Sequence, residues 1–482
     1  MVDTRPIAYL IGRMLIVLAI LMLAPAIIDH RAGLENGGDF LESAIFTGGI
    51  GGLMALASRN GLRGGLDIRQ AYLLTASIWL GLPLFACLPF MLGAPGLGFT
   101  DAYFEAVSGI TTTGSTVIVG LDHLPEGMNL WRGMLNWIGG LGIAFIAMIF
   151  LPIMRVGGMQ FFRTEGFDTF GKALPRATDI ARALLGIYAG LTVACILVYL
   201  AVGMTVLDAI VNGAATIATG GFSPSDLSFS KYPGAAEYAG SLFMLLGSLP
   251  YIRYVQLVTG RNWSVLNDPQ VKAILLWLMI AVAIVTLWRV ASSDELLEPA
   301  FRGTLFNLAS ILTGTGFFSG SFGAWGGFAL SVAFMLGMIG GCSGSSSGAL
   351  SVFRVQLAGR ALVAQIAEIT HPDRVVPLRY AGVPVSQDTI SAMMLYVTGY
   401  ILSIGVLSVA MTLVGVDIES ALFGIWTSIG NIGYGFGPMV AATGTFRDFP
   451  ESAKWIMIFA MLLGRLGLLA IFVLVLPRFW RR

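Results

Sequence analysis

Long apolar runs alternate with short polar connections along almost the whole chain. A helix of about 20 apolar residues is long enough to cross a bilayer. The pattern predicts ten such spans, at 7–28, 41–58, 71–93, 130–154, 182–203, 236–258, 270–290, 324–352, 389–414 and 454–477. The first run, after MVDTRPIAYLIGRM, lacks a small-residue cleavage pattern and reads as a span rather than a removed signal.

Between the later spans lies a second kind of apolar stretch, too short to cross. Four of these are DAYFEAVSGITTTGS, DAIVNGAATIATGGF, TLFNLASILTGTGFF and SALFGIWTSIGNIGY. Aligned on Gly114, Gly221, Gly316 and Gly433, they carry Phe104, Val211, Phe306 and Phe423 ten residues earlier. Six residues earlier stand the small residues Ser108, Ala215, Ser310 and Thr427. The glycines are separated by 107, 95 and 117 residues. A unit of about 100 residues, reading span, short helix, glycine and threonine turn, span, is therefore repeated four times. The expected division is 1–66 for two leading spans, then repeats at 67–165, 166–262, 263–365 and 366–482. A single such turn would pass as an ordinary connection, but four in register behind half-length helices do not.

The residue types in these turns suit a cation. A half-helix that ends inside a bilayer leaves its last carbonyls without partners. Irregular backbone at that depth survives only inside protein or beside a wet cavity. Glycine permits a conformation that turns carbonyl oxygens inward, and threonine adds a hydroxyl oxygen. Four such loops around one axis would form a ring of oxygens able to replace a cation's water shell. The negative ends of the helix dipoles would point at the same centre. Asp101 and Asp208, at the helix starts, suit the positive ends and are candidates to draw cations to the mouth.

Composition narrows the class. The chain is 56% hydrophobic and 11% charged, against about a quarter charged in soluble domains, so a polytopic membrane protein is indicated. A net charge of +1 supplies no basic field for nucleic acid. Cys87, Cys195 and Cys342 are scattered and show no metal or disulfide spacing.

Charge also orients the spans. Arg59, Arg63 and Arg69 share one side with Arg155, Arg163, Lys172, Arg176 and Arg182. Arg253, Arg261, Lys272, Arg354, Arg360, Arg374, Arg379 and the terminal RFWRR follow on that side. The opposite connections carry Asp101, Asp122, Glu126, Asp208, Glu295 and Asp417, with Arg31, Lys231, Arg302 and Arg447 as isolated exceptions. The positive-inside rule then places both termini in the cytoplasm.

Two polar features interrupt the spans. GGCSGSSSG, Gly340 to Gly348, falls within the eighth, and each interior glycine costs a helix about 1 kcal/mol. It reads either as a flexible intramembrane loop or as a kink or small-residue packing site. Its GSSSG matches the serine-hydrolase pattern, which also needs a strand-to-helix elbow and a nearby base. His30, His123 and His371 lie outside the spans, and no enzymatic activity is expected. Arg465 falls mid-span, where a charge faces a cavity or a partner. The alternative is a structural pair with a distant carboxylate. Arg13 and Arg132 lie near span ends and are expected to snorkel. Trp131, Trp137, Trp325, Trp426 and Trp455 read as interfacial anchors.

In order along the chain, SGITTTGST, ATGGFS, TGTGFFS, GGCSGSSSGALSVFR, NIGYG and MLLGRLGLL resemble the Trk/Ktr/HKT superfamily of potassium transporters, specifically its bacterial TrkH-type subunit. The resemblance covers nearly the whole chain. It implies an all-α membrane protein of the bacterial inner membrane, with ten transmembrane helices. The last eight would form four span–pore helix–span repeats around a pseudo-fourfold ion pore. The implied potassium filter comprises Thr112, Thr113 and Gly114; Thr219, Gly220 and Gly221; Gly314, Thr315 and Gly316; and Asn431, Ile432 and Gly433. The implied gate comprises Gly341, Cys342, Ser343, Gly344, Ser345, Ser346, Ser347 and Gly348, with Arg465 beside it. Glycine in all four copies resembles the potassium-selective members, whereas serine in the first marks some sodium-permeable ones.

The chain departs from that family at Asn431-Ile432-Gly433, at Tyr434 where proline is common, and at Gly467 where glutamate often follows Arg-Leu. The implied partners are potassium as the transported ion, a cytoplasmic NAD- or ATP-binding regulatory subunit of the TrkA type, and a second copy in a homodimer. The chain shows neither a G-x-G-x-x-G strand–helix unit nor a P-loop, so no organic cofactor is expected on it. Connections 155–182 and 354–380 are candidate docking surfaces, or simply carry the positive-inside bias.

An ion-coupled symporter, moving potassium with protons or sodium, is the alternative, since repeats and broken segments occur there too. Such machines usually need midplane carboxylates, and these spans offer few, with Glu42 near an end. A structural or sensory subunit would have no use for four glycine loops.

Overall fold

The computed structural model describes residues 3–62, 67–145, 177–260, 264–293, 295–371, 377–467 and 476–480. The ends of the expected spans 130–154 and 454–477 lie partly outside these residues. So do Arg63, Arg155, Arg163, Lys172, Arg176, Arg261 and Arg374.

Two leading helices, α1 (Arg5–Arg31) and α2 (Asn36–Ala57), pack along each other. Asp29 at the end of α1 is fully buried, accepting from the Asn36 amide at 2.5 Å and from the Gly127 N–H at 2.7 Å. It thereby ties the pair to the rest of the molecule. Each later section repeats a long helix, a shorter helix and a further helix. The first is α3 (Ile68–Ala86), α4 (Phe99–Ile110) and α5 (Glu126–Phe145). The second is α6 (Ala177–Ala201), α7 (Val206–Ile217) and the pair α8 (Ala235–Gly247) and α9 (Tyr251–Gly260). The third is α10 (Pro269–Ser293), α11 (Leu297–Thr313), and α12 (Gly327–Ile339) with α13 (Val352–Thr370). The fourth is α14 (Gln387–Leu413), α15 (Ile418–Gly430) and α16 (Glu451–Leu466).

The short helices start at defined caps. Thr205 accepts from the Asp208 N–H and Asp417 from the Ser420 N–H, satisfying amides that a helix start leaves free. With 12 residues in α4 and α7, each rises about 18 Å, well short of the roughly 30 Å hydrocarbon layer. Among the described residues, six helices are long and apolar enough to cross a membrane, or seven if α8 and α9 count as one.

Three features differ from expectation. The run 236–258 is not one helix; α8 and α9 meet at 87°. Pro250 lacks an N–H and its ring blocks continuation of α8, and the preceding Ser248 carbonyl turns to accept from the Cys342 N–H at 3.0 Å. The run 324–352 stops at Ile339 and resumes at Val352, a wider gap than the glycines alone mark. The chain also forms one two-residue hairpin, Arg379–Tyr380 against Val383–Pro384. Its turn residues Ala381 and Gly382 have φ of 50° and 88°, as tight hairpin turns require.

Among the described residues the apolar core has two large parts and smaller satellites. One part joins α1 and α2 to the first and fourth sections through residues such as Phe40, Phe104, Trp131, Tyr400 and Met457. The other joins the second and third sections through Tyr199, Phe229, Phe306 and Ile274. The ends of the four short helices meet where these parts join.

Candidate functional site

The four short helices end in one and the same backbone motif. The N–H groups of Thr113, Gly220, Thr315 and Ile432 donate to the carbonyls of Ser108, Ala215, Ser310 and Thr427 at 2.9, 2.8, 2.8 and 2.9 Å. The N–H groups of Thr112, Thr219, Gly314 and Asn431 donate to Gly109, Thr216, Ile311 and Ser428 at 3.0, 3.1, 3.1 and 3.2 Å. This paired closure is the Schellman motif, whose penultimate residue is left-handed. Thr112, Thr219, Gly314 and Asn431 accordingly have φ of 51°, 49°, 70° and 50°. A left-handed β-branched residue is strained, so Thr112 and Thr219 hold this conformation against their own preference.

Two residues later each chain turns left-handed again, at Gly114, Gly221, Gly316 and Gly433, with φ of 82°, 73°, 86° and 90°. These glycines form a closed ring. A methyl group on Gly114 would overlap the Gly220 carbonyl oxygen, one on Gly221 the Thr315 oxygen, one on Gly316 the Ile432 oxygen, and one on Gly433 the Thr113 oxygen. Each turn thus abuts the carbonyl of the next in chain order, and the fourth returns to the first. Hydroxyls reinforce it: Thr111 with Thr113, and Thr313 with Thr315, share hydrogen bonds of 2.7 Å. The Asn431 amide donates to the Thr113 hydroxyl at 2.8 Å.

The ring opens onto a cavity of about 340 Å³ lined by all four glycines, with Thr116, Ser223, Phe318 and Tyr434. A second cavity of about 80 Å³ is lined by Cys342, Ser343, Gly344, Ser345, Ser347 and Gly348, with Arg354, Tyr396 and Arg465.

The segment Gly340–Ser351 is packed against the ends of the short helices. The Ser346 hydroxyl donates to the Ile217 and Gly247 carbonyls, both at 3.1 Å. The Ser347 hydroxyl donates to the Thr313 carbonyl at 2.5 Å and accepts from the Gly341 N–H at 2.9 Å. Gly348 lies so close to Gly430 that a methyl group would overlap its carbonyl oxygen. Arg465 serves the remaining helix, donating to the Thr111 carbonyl, to the Thr112 carbonyl and hydroxyl, and to the Ser346 carbonyl at 3.0 Å. Terminal carbonyls of α4, α7 and α11 are thus satisfied by Arg465, Ser346 and Ser347, as buried helix ends demand. From its other side the segment is anchored by Ser343 N–H to the Gln270 side chain at 2.8 Å, by the Cys342 N–H to Ser248 and by the Tyr251 N–H to the Gly344 carbonyl. The Ser345 hydroxyl closes onto Cys342 at 2.7 Å.

The chain as a whole is similar to known proteins. The family model for TrkH, a cation transport protein, matches residues 41–482. The chain belongs to the TrkH family. It is 40% identical over 418 residues to the Trk system potassium uptake protein TrkI of Halomonas elongata, covering 86% of this chain and 84% of that one. It is 36% identical to TrkH of the same organism, with 99% of each chain covered. To TrkH of Escherichia coli it is 32% identical, again over 99% of each. The crystal structure of the potassium transporter TrkH from Vibrio parahaemolyticus matches over 100% of both chains, with a TM-score of 0.91 and 29% identity.

Within this TrkH-family chain, several side chains play parts other than those expected. Arg132 does not snorkel. It is fully buried and paired with Glu105 at 2.9 Å, their side chains 1% and 0% exposed. Arg132 also donates to the Ser223 carbonyl at 2.8 Å and lies over the Phe222 ring. Arg13, by contrast, is exposed. Trp131 and Trp426 are buried, donating to the Ala86 and Phe334 carbonyls, and are core residues rather than interfacial anchors. Asp101 and Asp208 lie in the first turns of α4 and α7, as expected, and each also pairs with a lysine, Lys454 at 2.6 Å and Lys231 at 2.9 Å. Ser346, the hydrolase-pattern serine, is buried and bonded to carbonyls, while His30, His123 and His371 are exposed. Arg465 takes backbone and hydroxyl partners, and among the described residues no carboxylate pairs with it.

The residues that brace the ring from behind are absent from the sequence reading. Glu105 accepts from the Thr116 hydroxyl at 2.9 Å and the Val117 N–H at 3.1 Å. Asn136 accepts from the Phe222 N–H at 3.0 Å and donates to the Gly109 carbonyl at 2.9 Å. Asn307 exchanges hydrogen bonds with Ser319. A signal was available: nine residues before each glycine stand Glu105, Asn212, Asn307 and Gly424, polar in three of four copies.

Proposed function

We propose that this protein is a potassium-uptake pore of the bacterial inner membrane. The observation that carries the reading is the closed ring of four equivalent glycine turns. Their backbone and threonine oxygens are the means by which a filter replaces an ion's hydration shell. Thr112, Thr113, Gly114 and their counterparts in the other three turns form that filter. Potassium as the ion rests on the relatives, whose names are those of potassium uptake proteins; oxygens in a ring do not by themselves choose potassium over sodium.

In this reading the chain has two leading spans and four repeats, ten spans in all, with both termini cytoplasmic. Gly341–Gly348 is the gate, lying against the cytoplasmic side of the filter, and Arg465 adds a positive charge there. A cation passing within about 4 Å of that guanidinium would meet a barrier of roughly 4 kcal/mol at a dielectric near 20. Opening requires the loop to release the helix-end carbonyls it now satisfies. A cytoplasmic nucleotide-binding subunit, docking on the basic connections 155–182 and 354–380, supplies the free energy for that release. The pore acts as a homodimer.

The deciding experiment is potassium-isotope uptake into proteoliposomes, with and without an imposed proton gradient. Uptake that follows the potassium gradient alone supports a pore. Uptake that requires the proton gradient would replace it with coupled symport.

A further inference from the structure

The four turns are not braced alike. The residue nine positions before the glycine reaches the extended segment that leaves the ring in the first and third copies. Glu105 accepts from the Val117 N–H, and Asn307 accepts from the Ser319 N–H at 3.1 Å while donating to its carbonyl at 2.9 Å. Val117 and Ser319 both stand three residues past their glycine. In the second copy that residue is Pro224, which has no N–H to give. There Asn136 and Arg132 hold Phe222 and Ser223 instead. In the fourth copy the bracing position is Gly424, with no side chain to reach out.

The fourth turn borrows its brace. The Tyr434 hydroxyl, one residue past Gly433, donates to Oδ1 of Asn307 at 2.5 Å. Asn307 is fully buried and Tyr434 is 7% exposed. The Tyr434 ring stacks on Phe436 at 5.3 Å and meets Phe318 and Phe322 edge-on, at 6.3 and 5.5 Å. A tyrosine has few rotatable bonds, so fixing both its hydroxyl and its ring fixes the backbone that carries it. That backbone adjoins Gly433, and the neighbouring contact in the ring is Gly316 against Ile432.

We propose that Tyr434 and Asn307 are positioning residues that set the spacing between the third and fourth oxygen turns, and through it the discrimination between potassium and sodium. The inference rests on reading the turns as a filter. Asn307 bonds to two turns at once and so ties the fourth to the third, while the Glu105–Arg132–Ser223 chain ties the first to the second.

Competitive uptake of potassium and sodium by the full chain in proteoliposomes tests it, with Tyr434→Phe as the deciding variant. The Asn307 amide keeps its bonds to Ser319, so folding is retained. The potassium-over-sodium ratio falls about fivefold, the equivalent of about one net hydrogen bond. In the Tyr434→Phe/Asn307→Ala pair the effects do not add, because one contact is removed twice. Gly114→Ser serves as the control. An unchanged ratio in Tyr434→Phe beside a lowered ratio in Gly114→Ser overturns the brace and leaves the filter standing, even if the melting temperature drops. Additive effects also overturn the brace. Unchanged ratios in both variants overturn the filter reading and the brace together.

Discussion

Arg465 donates through one guanidinium nitrogen to the carbonyl of Ser346 at 3.0 Å, and through another to the Thr112 carbonyl at 3.2 Å. One side chain therefore joins the loop beneath the ring to the first of its four turns. Arginine suits the place because its planar fork offers several donors in fixed directions and stays charged when buried. Arg465→Gln keeps a donor and removes the charge. Basal potassium flux without any regulatory subunit rises at least about tenfold, corresponding to about 1.4 kcal/mol of barrier, a fraction of what a nearby unit charge imposes. Isotope flux in proteoliposomes reads it. A flux that stays level or falls in well-folded protein would assign Arg465 a scaffolding role only.

The Glu105–Arg132 pair makes a prediction about stability. Removing one partner of a buried pair leaves an uncompensated charge and costs about 3–5 kcal/mol. Arg132→Ala does this to Glu105. Glu105→Gln leaves Arg132 its bond to the Ser223 carbonyl, and the new amide can accept from the Val117 N–H through its oxygen and donate to the Thr116 hydroxyl through its nitrogen, so it is milder. Thermal unfolding in detergent orders them wild type, Glu105→Gln, Arg132→Ala, from most to least stable. Melting temperatures equal to wild type in both variants would show that the charge pairing carries no weight.

Gly114 cannot accept a side chain without moving its neighbour. Its φ of 82° disfavours any L-residue, and a methyl group there would overlap the Gly220 carbonyl oxygen. Gly114→Ser therefore widens the gap between the first and second turns. Potassium-over-sodium discrimination falls while total cation flux persists, as read by competitive uptake. Unaltered discrimination would mean that these oxygens do not select the ion.

The four glycine turns were legible because their marks are local. A left-handed glycine, with a small residue six positions earlier and an apolar one ten earlier, stands at each of the four turns. What the sequence hid depends on partners far along the chain. Arg132 looked like a snorkelling residue because its carboxylate lies on another helix, 27 positions away. Asp101 looked free because Lys454 reaches it across 353 positions. The bend after Gly247 was masked by hydropathy: both arms are apolar, and Pro250 alone records it. The tryptophans show the same limit, since nearness to a span end does not separate an anchor from a core residue whose indole N–H has found a carbonyl.

Gly348 offers the sharpest separation between a plug and a mere kink. Its φ is not left-handed, so glycine is required there by crowding alone, against the Gly430 carbonyl and the Asn431 side chain. Gly344 is the converse: its φ is 82°, but a methyl group would meet nothing within 4 Å. Gly344→Ala thus strains the loop by about 1–2 kcal/mol without pushing it anywhere. Gly348→Ala pushes it off the end of α15. If the loop blocks the pathway, Gly348→Ala raises basal flux severalfold and Gly344→Ala changes it far less. If the loop only joins two helices, both variants lose stability and neither raises flux, because displacing a connector opens no path. Flux and melting temperature measured on the same two preparations decide between these outcomes.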